Sequence, residues 1–350
     1  GNRPVTRPRV SSLFTSRWLA WGPATACLWA ALIAGACMAL ASGGFPVAVA
    51  DVLAALKAWV TQGPRPDETI YSVVVNVRLP RVILAVAAGA GLAAAGAGFQ
   101  ALFSNPLATP DTLGVATGAA FGAVLGILLG FDAALVQAAS LATGLGAVVL
   151  VCFVSRIRGQ SSILMLILSG LVIAALFSAL ISLVKFVADP QDMLPSITFW
   201  LMGSLTGATM ETLWLGLPFI LAGSVVLYCL RWKMNALSLP EDEARSLGIP
   251  VTQLRIAVIV ASTMITAGVV SMCGLIGWVG LLIPHCARLM FGADNCRVIP
   301  ASFLIGALFV LAADTTARCA AELEIPVSIL TAVIGAPLFI LLLRRTGLVR

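Results

Sequence analysis

Arg231-Trp-Lys-Met-Asn-Ala-Leu-Ser-Leu-Pro-Glu-Asp-Glu-Ala-Arg-Ser-Leu-Gly-Ile-Pro-Val-Thr-Gln-Leu-Arg255 is a polar, turn-rich stretch between two apolar runs, 212–230 and 255–273, each long enough to cross a bilayer. It carries its own helix signals. Ser238 with Glu241 three residues on fits a capping box, and Glu241, Asp242 and Glu243 stand where a helix dipole favours negative charge. Arg245 lies near the other end, Gly248 supplies a left-handed stop and Pro250 forbids continuation. A helix of about two to three turns is unstable alone in water, so the segment Ser238 to Gly248 with Ala244 and Leu247 on it needs a partner surface.

The surrounding chain reads as membrane-embedded. Its 350 residues are 60% hydrophobic and only 10% charged, with a mean hydropathy of +1.04, against about 25% charged in soluble domains. An all-α polytopic membrane protein follows. Counting about 18 to 25 apolar residues per crossing gives ten spans, roughly 18–41, 80–103, 112–131, 133–154, 162–184, 212–230, 255–273, 275–292, 299–319 and 326–344. A tail, 1–17, precedes one transmembrane domain, 18–350, and the first run lacks a small-residue cleavage signal and so reads as a retained span. An even number of spans puts both termini on one side. Lys57, Arg65, Arg78, Arg81, Lys185 and Arg318 fall on the other side, six of 21 basic residues, so the positive-inside rule makes the terminal side, with loop 231–255, cytoplasmic.

The net charge of +6 is dispersed at the ends of apolar runs, which fits membrane orientation and leaves no basic patch for nucleic acid. Eight cysteines, mostly inside apolar segments and without a C-x-x-C pair, indicate neither a disulfide framework nor a zinc site. Outside the membrane, segment 42–79 holds an amphipathic surface helix over Val47 to Val60 and ends in Arg78-Leu-Pro-Arg81, where Pro80 suits the first turn of the next helix. The two guanidiniums then stand either at the outer mouth or simply snorkelled to the interface.

That next span is dense in small residues, and Gly118, Gly122, Gly126 and Gly130 mark the third as a packing face. Between them Pro106 and Pro110 break the inner turn and Asn105 can satisfy freed backbone groups. Such irregular backbone at membrane depth is tolerated only inside protein or beside water. A short outer helix is expected within 189–203. His285, the one histidine, is expected to make a structural hydrogen bond, with proton or metal chemistry as the alternative. Asp314, Arg318 and Glu322 recur on one helical face, so Asp314 is expected to position Arg318, with Glu322 at the outer end.

Several chemistries are excluded or poorly supplied. None of the three lysines follows a glycine, so there is no P-loop, and there is no G-x-S-x-G elbow.

Arg78-Leu-Pro-Arg81, Gln100 with Asn105-Pro-Leu-Ala108, Leu113-Gly114, Ala244-Arg-Ser-Leu-Gly248, the glycine-rich run from Gly274 through His285 to Arg288, Asp314-x-x-Ala-Arg318 and Gly335-Ala-Pro-x-Phe339 together resemble the FecCD-type permeases. These are membrane subunits of ABC importers for iron–siderophores, haem and vitamin B12. The resemblance runs from about residue 70 to the C-terminus. It implies a ten-helix type II importer permease in a bacterial inner membrane. Its partners would be a second permease, identical or homologous, two ATPase subunits and a periplasmic substrate-binding protein.

On that resemblance Arg78, Arg81 and Arg318 dock carboxylates of the binding protein. Residues 238–248 form the coupling helix, and Asn105, Leu107, Ser161 and Ser162 belong to the cytoplasmic gate. The chain itself would bind no cofactor and catalyse nothing, with ATP and Mg on the partner ATPase. The segment from Pro190 to Gly203 resembles siderophore-type members more than B12-type ones. The competing readings are a proton-coupled secondary carrier using Asp314 and His285, and an intramembrane enzyme, which lacks a nucleophile and base pair.

Overall fold

The structure, a computed structural model, describes residues 10–65, 67–155, 163–320 and 324–345. Every regular element among them is helical. Helix α1 (Val10–Ala41) already includes the last residues of the expected tail, and α2 (Val49–Thr61) is the amphipathic surface helix, burying Val52, Ala55 and Ala58 on one side. The second span starts earlier than Pro80. Asp67 caps α3 (Glu68–Tyr71) by accepting from the N–H groups of Thr69 at 2.7 Å and Ile70 at 3.2 Å. A π-turn, Ser72–Arg78, then leads into α4 (Leu79–Leu102). Pro80 has no N–H to give, and its ring would press on the carbonyl four residues back, so the helix widens at this point instead of beginning there.

Helix α4 is the axis of the bundle. Of the residues in its most apolar stretch 78% are buried, against 17% for α1 and 22% for α7 (Ile163–Val187), so α4 packs against protein while α1 and α7 present most of their surface outward. The small residues of α4 permit this. A Cβ on Gly89 would collide with the carbonyl of Gly306, and one on Gly306 with that of Gly89, which sets the crossing of α4 with α13 (Asn295–Ala320). Gly118, Gly122 and Gly126 of α5 (Val115–Leu128) lie against α6 (Ala133–Ser155) as expected. Gly130 does not. It stands past the end of α5 at φ +71 with open space around it, a left-handed stop.

The ten predicted spans all appear as helices, but only seven are long and apolar enough to cross a membrane unaided among the described residues. The remaining elements are α8 (Met193–Leu201), α9 (Met210–Leu230), α10 (Glu241–Ser246), α11 (Val251–Cys273), α12 (Val279–Phe291) and α14 (Val327–Arg345). Helix α5 has 14 residues and α12 has 13, lengths of about 20 Å at 1.5 Å per residue, too short for an apolar core of about 30 Å. Both begin after irregular chain. Residues 103–114 precede α5, and 274–278, where Gly274 has φ +70, precede α12. Proline and glycine there break the helix while apolar composition continues, which is why a hydropathy count overestimates both spans.

The bundle has two ends of different character. One carries residues 231–250 and the turn after α4; the other carries Arg78, Arg81, Glu324 and the end of α13. They are called here the loop end and the arginine end.

Candidate functional site

At the loop end the chain leaves α9 and makes a 3-10 turn, Lys233–Ser238, before α10. The expected capping box is absent. Pro240, not Ser238, is the N-cap of α10, and the Ser238 hydroxyl donates to the Asn235 carbonyl at 2.6 Å, closing the 3-10 turn. The single helix expected over 238–248 is thus two short elements around Pro240. The stop is as expected, with Gly248 at φ +75 and the Ile249 N–H returning to the Ala244 carbonyl at 3.2 Å.

Helix α10 is held from beneath and open above. Ala244 is fully buried, and Glu241 accepts from Arg245 at 2.6 Å and from Arg255 of α11 at 3.1 Å. The hydrogen bond from Arg255, opposed by partial burial and helped by Arg245, holds the Glu241 carboxyl below the usual carboxylate range. Asp242, Glu243, Arg245, Ser246 and Leu247 are exposed. Asn235, which the sequence reading passed over, ties this loop to the start of α13, donating to Asp294 at 2.7 Å and accepting from the Asn295 N–H at 2.8 Å.

The turn after α4 is built on polar side chains. Asn105 accepts from the Leu107 N–H at 2.9 Å, the backbone satisfaction expected of it, and Leu107 is exposed. Gln100, 3% exposed, reaches the carbonyls of Ala108 and Leu281, each at 3.3 Å, and accepts from Arg288 of α12. Gln100, one of the residues that carry the resemblance, therefore joins α4, the turn and α12, contacts that span up to 188 residues and leave no local signal. Ser104 donates to the Leu237 carbonyl at 3.3 Å, linking the turn to the 231–255 loop. Asp111 accepts from the N–H groups of Ala116 at 3.0 Å and Thr117 at 3.2 Å, covering the first turn of α5. It lines a cavity of about 360 Å³ with Thr109, Trp278 and Leu281. The expected gate residues Ser161 and Ser162 lie outside the described residues.

At the arginine end the three candidate docking side chains are turned inward, contrary to an open mouth. Arg78, 4% exposed, donates to the carbonyls of Leu40 at 2.7 Å and Ala41 at 3.0 Å and to Phe45, closing the end of α1. Arg81, 6% exposed, lies between Asp314 at 2.9 Å and Glu324 at 2.8 Å. Arg318 donates to the Ala39 carbonyl at 3.0 Å and stands 3.3 Å from Asp314. Asp314 pairs with Arg318 as expected, and it takes a second and closer partner in Arg81, from another helix. Carboxylate and guanidinium in a sequestered site must neutralise each other, and Asp314 together with Glu324 balances Arg81 and Arg318 across α4 and α13. Glu322 lies outside the described residues. Glu324 takes the acidic role there, also accepting from Thr206 at 2.7 Å.

His285 makes no structural hydrogen bond through Nε2, which is buried without a partner, and its ring lies 6.0 Å from that of Phe339. No group of three or more His, Cys, Asp or Glu side chains able to hold a metal occurs among the described residues, and the cysteines are free thiols.

Residues 31–345 match the profile of the FecCD transport family. The chain belongs to that family. It is therefore a multi-pass permease subunit of an ABC importer. The molybdate import system permease protein MolB of Haemophilus influenzae is 42% identical over 274 residues, covering 78% of this chain and 81% of the relative. A Helicobacter pylori protein named as a probable iron chelatin transport system permease is 39% identical over 277 residues, covering 78% and 83%. Among solved structures, an inward-facing ABC transporter assigned to the metal-chelate type superposes with a TM-score of 0.82 at 39% identity, covering 91% of this chain and 97% of the other.

Proposed function

We propose that this FecCD permease takes its energy from a separate ATPase that grips the 231–255 loop, and that it passes a metal chelate of the iron–siderophore kind, or a haem- or cobalamin-like chelate, by alternating access. The observation that carries the proposal is α10: a short helix anchored through Ala244 and Glu241, with an exposed face of Asp242, Glu243, Arg245 and Leu247, in a chain without a P-loop. Such a helix is a handle. Rigid-body movement of the ATPases would rock two permease subunits against each other, and the turn bearing Asn105 and Leu107, with Ser161 and Ser162 as expected gate residues, would open and close toward the cytoplasm. The loop end faces the cytoplasm on the positive-inside rule, and the arginine end faces a binding protein. ATP and Mg belong to the partner, while this chain holds no cofactor and performs no catalysis.

The relatives leave the cargo open between iron chelatin and molybdate by their names. The chelate is favoured by the likeness of 190–203 to siderophore-type members. Docking at the arginine end needs restating, since Arg78, Arg81 and Arg318 already have internal partners. An incoming carboxylate would reach Arg81 by displacing Glu324, the partly exposed member of the cluster at 38%. A proton relay through Asp314 and His285 is disfavoured, because both oxygens of Asp314 are engaged by two arginines.

Reconstitution of the chain with its ATPase and binding protein in liposomes tests the proposal. ATP-dependent uptake of a ferric siderophore that ceases without the ATPase is expected. Uptake driven by a proton gradient alone would overturn it.

A further inference from the structure

We infer that Asn235 is the positioning residue through which movement of the 231–255 loop reaches α13 and, along that helix, the arginine end. The inference rests on the proposed role of the loop as ATPase contact, and adds a route and a residue to it.

Both ends of the Asn235 amide are engaged, and the partners fix its orientation. Asp294 can only accept, so it faces Nδ2 at 2.7 Å, whereas the Asn295 N–H can only donate, so it faces Oδ1 at 2.8 Å. Asp294 in turn caps α13, accepting from the Cys296 N–H at 2.9 Å through its carboxylate and from the Val298 N–H at 2.9 Å through its carbonyl. Burial acts to raise the Asp294 carboxyl, but the hydrogen bonds from Asn235 and Cys296 and the charge of Arg297 outweigh it and leave it below the usual range. One amide thus grips the first turn of a 26-residue helix.

The grip has firm ground on both sides. The neighbouring Met234 and Leu237 are buried, so the 3-10 turn cannot slide without carrying Asn235. At its far end α13 bears Asp314 and Arg318, and midway it is locked to α4 by the mutual approach of Gly89 and Gly306. Pro300 frees one backbone bond between the clamp and Gly306, so displacement is carried along α13 by its packing on α4 and its ion pair to Arg81 and not by helix stiffness alone.

The test uses the full permease–ATPase complex and follows ATP-dependent hydrogen exchange at two places, the 231–255 loop and the arginine-end segment 202–209. Asn235→Asp keeps the acceptor for Asn295 but sets carboxylate against carboxylate. The response at 202–209 should fall at least about fivefold while that of the loop persists. Adding Asp294→Asn rebuilds the pair with reversed polarity and should restore the response to within about twofold, a recovery that mere damage to folding would not show. Asn235→Ser removes both bonds without adding charge and carries the same expectation if Asn235→Asp does not assemble. An unchanged response at 202–209 in an assembled single variant, or no recovery in an assembled double variant, overturns the inference. Absence of any ATP-dependent change in the wild-type loop would instead defeat the proposed role of the loop.

Discussion

Arg81 and Glu241 are each held by two opposite charges, yet their surroundings differ. Arg81 is 6% exposed between Asp314 and Glu324, which lie 233 and 243 residues away in sequence, whereas Glu241 stands at the surface between Arg245, one turn away, and Arg255 of the next helix. In the first case the charges close the fold, and removing one strands the others in a low-dielectric site. In the second they orient a short helix in water, where each pair contributes little. The arginine end is therefore a lock and the loop end a free surface, although both are written with the same residue types.

The largest break in this comparison comes from Asp314→Ala. It leaves two buried guanidiniums without their shared carboxylate and should cost about 3–5 kcal/mol, read as a lowered melting temperature of the detergent-solubilised chain. Charge reversal at Arg318 acts through the same lock and at Arg78 through the carbonyls that end α1, so either would report on folding before it reported on docking.

A smaller effect separates structure from docking. Glu324→Ala takes away the exposed partner of Arg81 but leaves Asp314 in place, so the chain should still fold. Its affinity for the binding protein should rise by about threefold or more at low salt. Unchanged affinity in a binding titration would remove Arg81 from the docking surface.

The smallest effect concerns pH. Glu241 has a folded pKa below its ordinary 4.5. Its contribution is therefore fully present above 4.5 and is lost as pH falls through the lowered folded value. Proteolysis or hydrogen exchange of residues 241–246 should be unchanged from neutral pH down to about 5 and should rise only below the ordinary 4.5. Release already at pH 6 would show that another group holds α10.

Much of the fold was legible in sequence because burial in lipid demands long apolar runs and closed backbone hydrogen bonding, and these have a simple signature. Each of the ten spans expected on that basis contains a helix. The lengths of α5 and α12 were not legible, since left-handed Gly114 and Gly130 bound α5 and residues 275–278 stay irregular before α12, all without interrupting hydropathy. At the candidate site, the Gly248 stop and the Asn105 turn are local and were readable. The capping box failed because Ser238 had a nearer acceptor in Asn235 and Pro240 took the cap.

What the sequence determined by itself is the membrane class, the order of the helices, the polar loop between two spans and the absence of a P-loop in it. Each follows from composition or from signals within a few residues. What only the tertiary structure decided is which charges meet. Arg81 finds Asp314 across 233 residues, and Asn235 finds Asp294 across 59. Pairing at such distance depends on how helices cross, and the crossing is set by small residues such as Gly89 and Gly306, whose partners no local pattern names.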